Sequence, residues 1–159
     1  MKSIITISLI FLSAFHTCSE LASQSIEYQR NGPRDLTEKV VILNGEKAGF
    51  RTDGKADDLS AQEIDDIFEM TEKAFTAFKT TTADKHDFTV YKFQYFPFLT
   101  NSNEKIIEIN AFCDGDSVWR RDSWRKSPIF VFDGGSCYWQ TTVNLTRKQI
   151  AEITPNGVA

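Results

Sequence analysis

The strongest hydrophobic pattern in the chain lies between residues 61 and 78. Apolar side chains recur there at steps of three and four residues, which predicts a helix with one buried stripe. That stripe consists of Ile64, Ile67, Phe68, Thr71, Phe75 and Phe78. Ser60 and Glu63 have the spacing of a capping box, so we expect the helix to begin at about Ala61.

After the helix, the apolar positions alternate with a period of two, which is typical of β-strands. A short strand is also predicted ahead of the helix. The predicted strands cover residues 40–43, 88–96, 105–113, 128–132 and 137–145. Pro97 either ends the second of these or marks an edge. One amphipathic helix needs one sheet face to cover it. The sequence therefore predicts an α+β fold in which a curved antiparallel sheet of four to five strands wraps around one main helix.

The first nineteen residues have the layout of a secretory signal peptide. Lys2 precedes an apolar run, and small residues come before the expected cut between Ser19 and Glu20. The alternative is a lipoprotein signal with Cys18 as the lipidated residue, although Phe15 and His16 match such signals poorly. We therefore expect a periplasmic or secreted protein without a lipid anchor.

The remaining chain is interpreted as a flexible leader over residues 20–37 and one domain over residues 38–159. The full chain carries 18 basic and 22 acidic residues, and its net charge becomes −5 once Lys2 is removed. This acidic balance argues against general nucleic-acid binding. No second apolar run reaches membrane-spanning length.

Cys113 and Cys137 are the two cysteines that remain after signal removal. An oxidising compartment favours a disulfide between them, and the closed loop would contribute about 3.5 kcal/mol. In a simple meander the strand at residues 128–132 would separate them by two strand spacings, beyond disulfide reach. The sequence leaves both alternatives open.

Catalytic chemistry is sparse in the sequence. His86 is the only histidine left after signal removal, and it is interpreted as a solvated loop residue rather than a general base. No His/Cys cluster with zinc-ligand spacing is present in the sequence. We therefore predict no catalytic residues, no metal site and no cofactor.

The segment Ser117–Lys126 interleaves tryptophans with cationic side chains. Such a set can bind an anionic or aromatic partner by stacking and charge-assisted hydrogen bonds. The candidate partner-binding residues are Trp119, Arg120, Arg121, Trp124 and Arg125. In the alternative interpretation the tryptophans cover one end of the sheet and the cations pair with neighbouring aspartates.

The order of predicted elements over residues 38–146 resembles the cystatin-like fold, in which a curved sheet grips one helix. Cystatins insert a Gln-Val-Gly hairpin and a Pro-Trp loop into a protease. Residues 99–105 lack the first motif, and the chain has no Pro-Trp pair. Three segments are also similar to a family of uncharacterised secreted bacterial proteins. They are Ile109–Cys113, Asp133–Trp139 and Asn156–Ala159. This resemblance implies a bacterial envelope location and no known activity.

Three hypotheses of function follow. The leading one is a small exported, non-enzymatic domain of the bacterial envelope that binds a protein or small ligand. The second is a protease inhibitor of cystatin-like architecture. The third is a small enzyme with an acidic or tyrosine site in a sheet cavity, which requires a deep pocket lined by ionisable groups.

Overall fold

The computed structural model describes residues 32–44, 54–81, 86–114 and 123–157. Within these residues one α-helix, α1 (Ala61–Thr81), packs against a sheet of seven strands. The strands are β1 (Val40–Ile42), β2 (Gly54–Ala56), β3 (Tyr91–Thr100), β4 (Lys105–Cys113), β5 (Tyr138–Asn144), β6 (Gln149–Ile150) and β7 (Thr154–Pro155). This architecture confirms the predicted α+β class. The expected signal peptide and most of the expected leader lie outside the described residues.

The predicted helix cap is present at the start of α1. The Ser60 amide donates to a Glu63 carboxylate oxygen at 2.8 Å, and the Glu63 amide donates to the Ser60 hydroxyl at 3.2 Å. On the predicted stripe, Ile67, Thr71 and Phe75 are at most 1% exposed. The helix continues to Thr81, three residues beyond the prediction, because neither glycine nor proline follows Phe78 to stop it.

The sheet is mixed, so the expectation of a wholly antiparallel sheet is wrong. Its strand order is β1-β3-β4-β5-β6, with β2 also paired to β3 and β7 also paired to β5. β1 runs parallel to β3, whereas the other pairs are antiparallel. Since the chain passes from β1 to β3 by way of α1, it makes the crossover that parallel neighbours require.

Pro97 lies inside β3 rather than at its end. The Lys39 carbonyl accepts from Phe93, and the Pro97 carbonyl accepts from the Asp57 amide at 3.1 Å. Odd-numbered residues of β3 therefore direct their backbone groups toward β1 and β2, away from β4. Proline has no N–H, but at this position the N–H would not have faced β4. The ladder between β3 and β4 is therefore intact, and the strand continues to Thr100.

The segment at residues 128–132, predicted as a strand, forms no strand in the structure. Side chains of the sheet satisfy the backbone of Ile129 instead. Its amide donates to the Gln94 side-chain oxygen at 2.9 Å, and its carbonyl accepts from the Asn110 amide group at 2.7 Å. The segment thus lies across the sheet without joining it, and β4 pairs directly with β5.

Hydrophobic side chains fill both faces of the sheet. On the helix face, Tyr91, Phe93 and Tyr95 are fully buried, and Phe75 of α1 stacks on Trp139 with ring centroids 5.7 Å apart. A smaller cluster lies on the opposite face and contains Phe112, Trp124, Ile129 and Tyr138. None of the described helices has the length and apolar character needed to cross a membrane.

The end of the expected leader is part of the packed structure. Arg34 forms an ion pair with Asp65 of α1, and Leu36 packs against the main core. The Leu36 carbonyl also accepts from the Val40 amide at 2.8 Å, which positions β1. The packed domain therefore begins before residue 38.

Candidate functional site

Two of the five candidate partner-binding residues lie in the described part of the chain. Trp119, Arg120 and Arg121 lie outside it, so their role stays a prediction. Trp124 and Arg125 belong to one 3-10 turn (Ser123–Arg125) on the second face of the sheet.

Trp124 is a packing residue of the second core cluster. It is 3% exposed, and its ring meets Phe112 edge to face at 5.8 Å. The Lys92 ammonium lies 5.2 Å and the Arg125 guanidinium 4.5 Å from the Trp124 ring centroid. Lys92 also pairs with Asp114 at 2.9 Å. Trp124 thus covers the sheet, as the alternative interpretation expects. The cation that pairs with Asp114 is Lys92 of β3, however, and not one of the cations of the segment Ser117–Lys126.

Arg125 remains at the surface and is held in one orientation. Its guanidinium stacks on Trp124, donates to the Thr37 carbonyl at 2.6 Å and pairs with Glu38 at 2.9 Å. The Glu38 side chain is 86% exposed. Because such exposed pairs contribute little to stability, another carboxylate could replace Glu38 at this arginine.

Arg125 borders a groove of about 500 Å³ between β1 and the start of α1. The apolar part of its lining comes from the segment before β1, from β1 itself and from the first turn of α1. These apolar residues are Leu36, Val40, Val41, Ile42, Ala61 and Ile64. Arg34 also lines the groove, but Asp65 and Glu72 already neutralise it. Asp35 also lines the groove, and its carboxylate accepts from the Thr37 amide and hydroxyl. The apolar wall with Arg125 at its border suits an extended ligand that has apolar groups and places an acidic group at Arg125.

The edge strand β1 forms one side of this groove. The Lys39 carbonyl and the Leu43 amide both bond to β3, so the alternation of a strand directs the backbone of Ile42 outward. Within the described residues, no strand pairs with this outer edge. The Ile42 side chain is 36% exposed. The sequence predicted β1 from a short apolar run. It could not predict that β1 lies at an edge, because that position depends on the parallel crossover from β1 to β3.

A second cluster of reactive groups lies at the far end of β4. The structure contains a disulfide between Cys113 and Cys137, whose Cα atoms are 5.0 Å apart. Phe112 pairs with Tyr138 across β4 and β5, which places the two cysteines side by side just beyond that pair. The disulfide that the sequence left open is therefore present. The separation by two strand spacings expected for a simple meander is wrong, because residues 128–132 form no strand between β4 and β5.

His86 contacts this disulfide, so its interpretation as a solvated loop residue is wrong. Its Nε2 atom lies 3.6 Å from the Cys137 sulfur, and its Nδ1 atom lies 3.3 Å from the Ser136 hydroxyl. The ring is half-buried, and one nitrogen of His86 and both sulfurs lie within 4.8 Å of one another. No spacing rule could have found this cluster, because 27 and 24 residues separate its members.

The helix face of the sheet is filled rather than hollow. Tyr91, Phe93, Tyr95 and Trp139 are fully buried there, and burial raises the pKa of the Tyr95 hydroxyl above its ordinary value. A phenol in that state stays protonated at neutral pH. Aromatic side chains therefore occupy the space between α1 and the middle of the sheet. A surface cavity of about 540 Å³ lies beside them, and Glu72, Phe75 and Asp87 belong to its lining.

Comparison with known proteins gave no match to a family model, a curated protein or a solved structure.

Proposed function

We propose that this protein is a small exported, non-enzymatic binding domain that captures an extended peptide segment of a partner protein along β1. The observation that carries the proposal is the outward-facing edge of β1 beside the apolar groove. A peptide added there would extend the sheet by one strand, a recurring mode of peptide recognition.

The backbone of β1 would contribute binding energy that does not depend on the sequence of the peptide. An added strand would bond to the outward N–H and C=O groups of Ile42. Successive side chains of the peptide would point alternately into the groove and into solvent. Apolar residues at every second position of the peptide would then contact Val40, Ile64 and their neighbours in the groove.

Arg125 would give the binding its preference for peptides that contain an acidic residue. Its stacking on Trp124 and its bond to the Thr37 carbonyl hold the guanidinium in place before a ligand arrives. A carboxylate on the peptide could exchange with the exposed Glu38 and form a charge-assisted pair. We therefore expect the preferred peptides to combine alternating apolar residues with one acidic residue.

Export is part of the proposal. The apolar run after Lys2 supports it, and a disulfide in the domain is compatible with an oxidising compartment. Such a domain would meet its partner in the bacterial envelope or outside the cell.

Selection from a displayed library of random peptides on the immobilised protein tests the proposal. Enriched peptides are expected to show apolar alternation with an acidic residue, and their affinities can be measured by fluorescence anisotropy. Ile42→Lys should weaken binding at least tenfold, because it places a charge in the groove edge. Leu99→Lys is the matched control, since Ile42 and Leu99 are both 36% exposed and Leu99 does not line the groove.

Two outcomes would overturn the proposal. The first is that no enriched peptide loses affinity with Ile42→Lys, or that Leu99→Lys lowers the affinity as much as Ile42→Lys does. The second is tight binding of a synthetic peptide of residues 20–31 in preference to library peptides. That result would assign the groove to a segment of this chain rather than to a partner.

A further inference from the structure

Three side chains that bind soft metal ions meet at one end of the sheet. His86 comes just before the turn that leads into β3, Cys113 ends β4, and Cys137 comes just before β5. All three are half-buried, so small molecules can reach them. Among the described residues, His86, Cys113 and Cys137 form the group of three whose ligand atoms lie close enough together to hold one metal ion.

The spacing of the histidine and the nearer cysteine already fits a tetrahedral metal. Zinc binds thiolate sulfur at about 2.3 Å and imidazole nitrogen at about 2.0 Å, which places two such ligands about 3.5 Å apart. The observed distance from His86 Nε2 to the Cys137 sulfur is 3.6 Å. Cys113 is already bonded to Cys137, so only the two sulfurs need to separate to make room for an ion.

Neighbouring groups hold the imidazole in this orientation. The Ser136 hydroxyl lies 3.3 Å from Nδ1, which leaves Nε2 directed at the sulfur. Tyr91 contacts the ring from its edge and donates to the Ser136 carbonyl at 2.7 Å. Partners of this kind orient the histidine ligands of metal sites and fix which nitrogen coordinates.

We propose that reduction of the Cys113–Cys137 disulfide creates a binding site for a thiophilic divalent cation such as Zn²⁺, with His86, Cys113 and Cys137 as ligands. A dithiol reductant supplies two electrons, the S–S bond breaks, and the reductant leaves as a disulfide. The cation then displaces one proton from each thiol and binds two thiolates and the neutral imidazole Nε2, and water completes the coordination. A small-molecule disulfide then accepts the two electrons and two protons and leaves as two thiols, which re-forms the Cys113–Cys137 bond and releases the cation. This site is independent of the groove beside β1.

Cobalt is a suitable probe because Co²⁺ bound to thiolates has a sulfur-to-metal charge-transfer absorption. The purified protein is reduced, freed of reductant under anaerobic conditions and titrated with Co²⁺, after which Zn²⁺ is added in competition. The reduced protein should bind one Co²⁺ per chain with thiolate absorption, and Zn²⁺ should displace it. The oxidised protein should show no such absorption.

Two variants separate a metal site from unspecific thiol binding. His86→Gln should weaken Co²⁺ binding at least tenfold in the reduced protein. Asp87→Asn changes the adjacent residue, whose carboxylate pairs with Lys79 and is not part of the cluster, and should bind like the parent protein. Circular dichroism of the oxidised variants checks that both are folded.

Equal affinities of the parent and His86→Gln would overturn the proposal, because they would remove the histidine from the site. It would also be overturned if the folded, reduced protein bound no Co²⁺. If reduction unfolded the chain, Co²⁺ or Zn²⁺ should restore the native circular dichroism. A chain that stayed unfolded with either metal would contradict the site.

Discussion

Arg34 forms an ion pair with Asp65 that fastens the segment before β1 to α1. Asp65 is 7% exposed, and the Arg34 guanidinium also lies 4.9 Å from the centroid of the Phe68 ring. A second carboxylate, Glu72, lies 3.5 Å from the same guanidinium. Because this pair borders the groove, it positions one wall of the proposed binding site.

Arg34→Ala should lower the free energy of unfolding by about 2–4 kcal/mol, because it removes the ion pair of the buried Asp65 carboxylate. Urea unfolding followed by fluorescence measures the effect. Lys73→Ala is the control, since Lys73 and Glu69 form an exposed pair on the same helix whose loss should cost less than about 0.5 kcal/mol. Similar losses in the two variants would contradict a structural role for the Arg34–Asp65 pair.

Gln94 holds the segment of residues 124–129 against the second face of the sheet. This side chain is fully buried and donates to the Trp124 and Ser127 carbonyls at 2.6 and 2.8 Å. It also accepts from the Ile129 amide. Gln94→Ala should therefore cost about 3 kcal/mol or more, since several buried backbone groups lose their partner.

Gln140→Ala serves as the matched control for Gln94→Ala. Gln140 lies in β5 opposite Asn110 and is exposed, so its truncation should change stability by less than about 0.5 kcal/mol. Thermal or urea unfolding compares the two variants. Equal stability of Gln94→Ala and Gln140→Ala would show that the hydrogen bonds of Gln94 do not anchor residues 124–129.

The features that sequence predicted well are those set by local pattern. The stripe of α1, its Ser60–Glu63 cap and the shared face of Ile107 and Ile109 depend on residues close together in the chain. Period and capping chemistry therefore suffice to find them.

The features that sequence missed depend on distant residues. Ile129 lies in an apolar run that looks like a strand, and only the side chains of Gln94 and Asn110 satisfy its backbone without a ladder. His86 meets Cys137 because β3, β4 and β5 are neighbours, which the meander hypothesis did not allow. A single sequence gives no measure of such long-range contacts.

The two tyrosines Tyr91 and Tyr95 are both fully buried but differ in their hydrogen bonds. Tyr91 donates to the Ser136 carbonyl at 2.7 Å, whereas the Tyr95 hydroxyl makes no hydrogen bond of normal geometry among the described residues and only interacts with the Thr71 side chain. Tyr91→Phe should cost about 1 kcal/mol, because the Ser136 carbonyl loses its donor. Tyr95→Phe should leave stability unchanged or raise it by about 1 kcal/mol, because it removes a buried unpaired hydroxyl. Urea unfolding of both variants checks the order, and a larger loss for Tyr95→Phe would contradict it.

Glu63 makes the stability of the helix cap depend on pH. Hydrogen bonds from Lys105 and from the Ser60 backbone lower the pKa of Glu63 in the folded protein below its ordinary value. Since the unfolded chain binds a proton more readily, the carboxylate stabilises the fold at neutral pH. That contribution is lost as the pH falls from about 4.3 through the lower folded value. Glu63→Gln should therefore be less stable than the parent at pH 7, and the difference should shrink toward zero in acid.

Urea unfolding at a series of pH values measures this difference between the parent protein and Glu63→Gln. Asp66 has a lowered pKa as well, through hydrogen bonds from Gln62 and Lys148, so the variant should retain part of the acid sensitivity. Lys105→Met should also lower stability at pH 7 more than in acid, because it removes the main hydrogen-bond donor to that carboxylate. Its total loss should exceed that of Glu63→Gln, since Lys105 also pairs with Asp57 at 3.1 Å. A gap between parent and Glu63→Gln that stayed constant from pH 7 into acid would show that Glu63 acts through packing rather than through its charge.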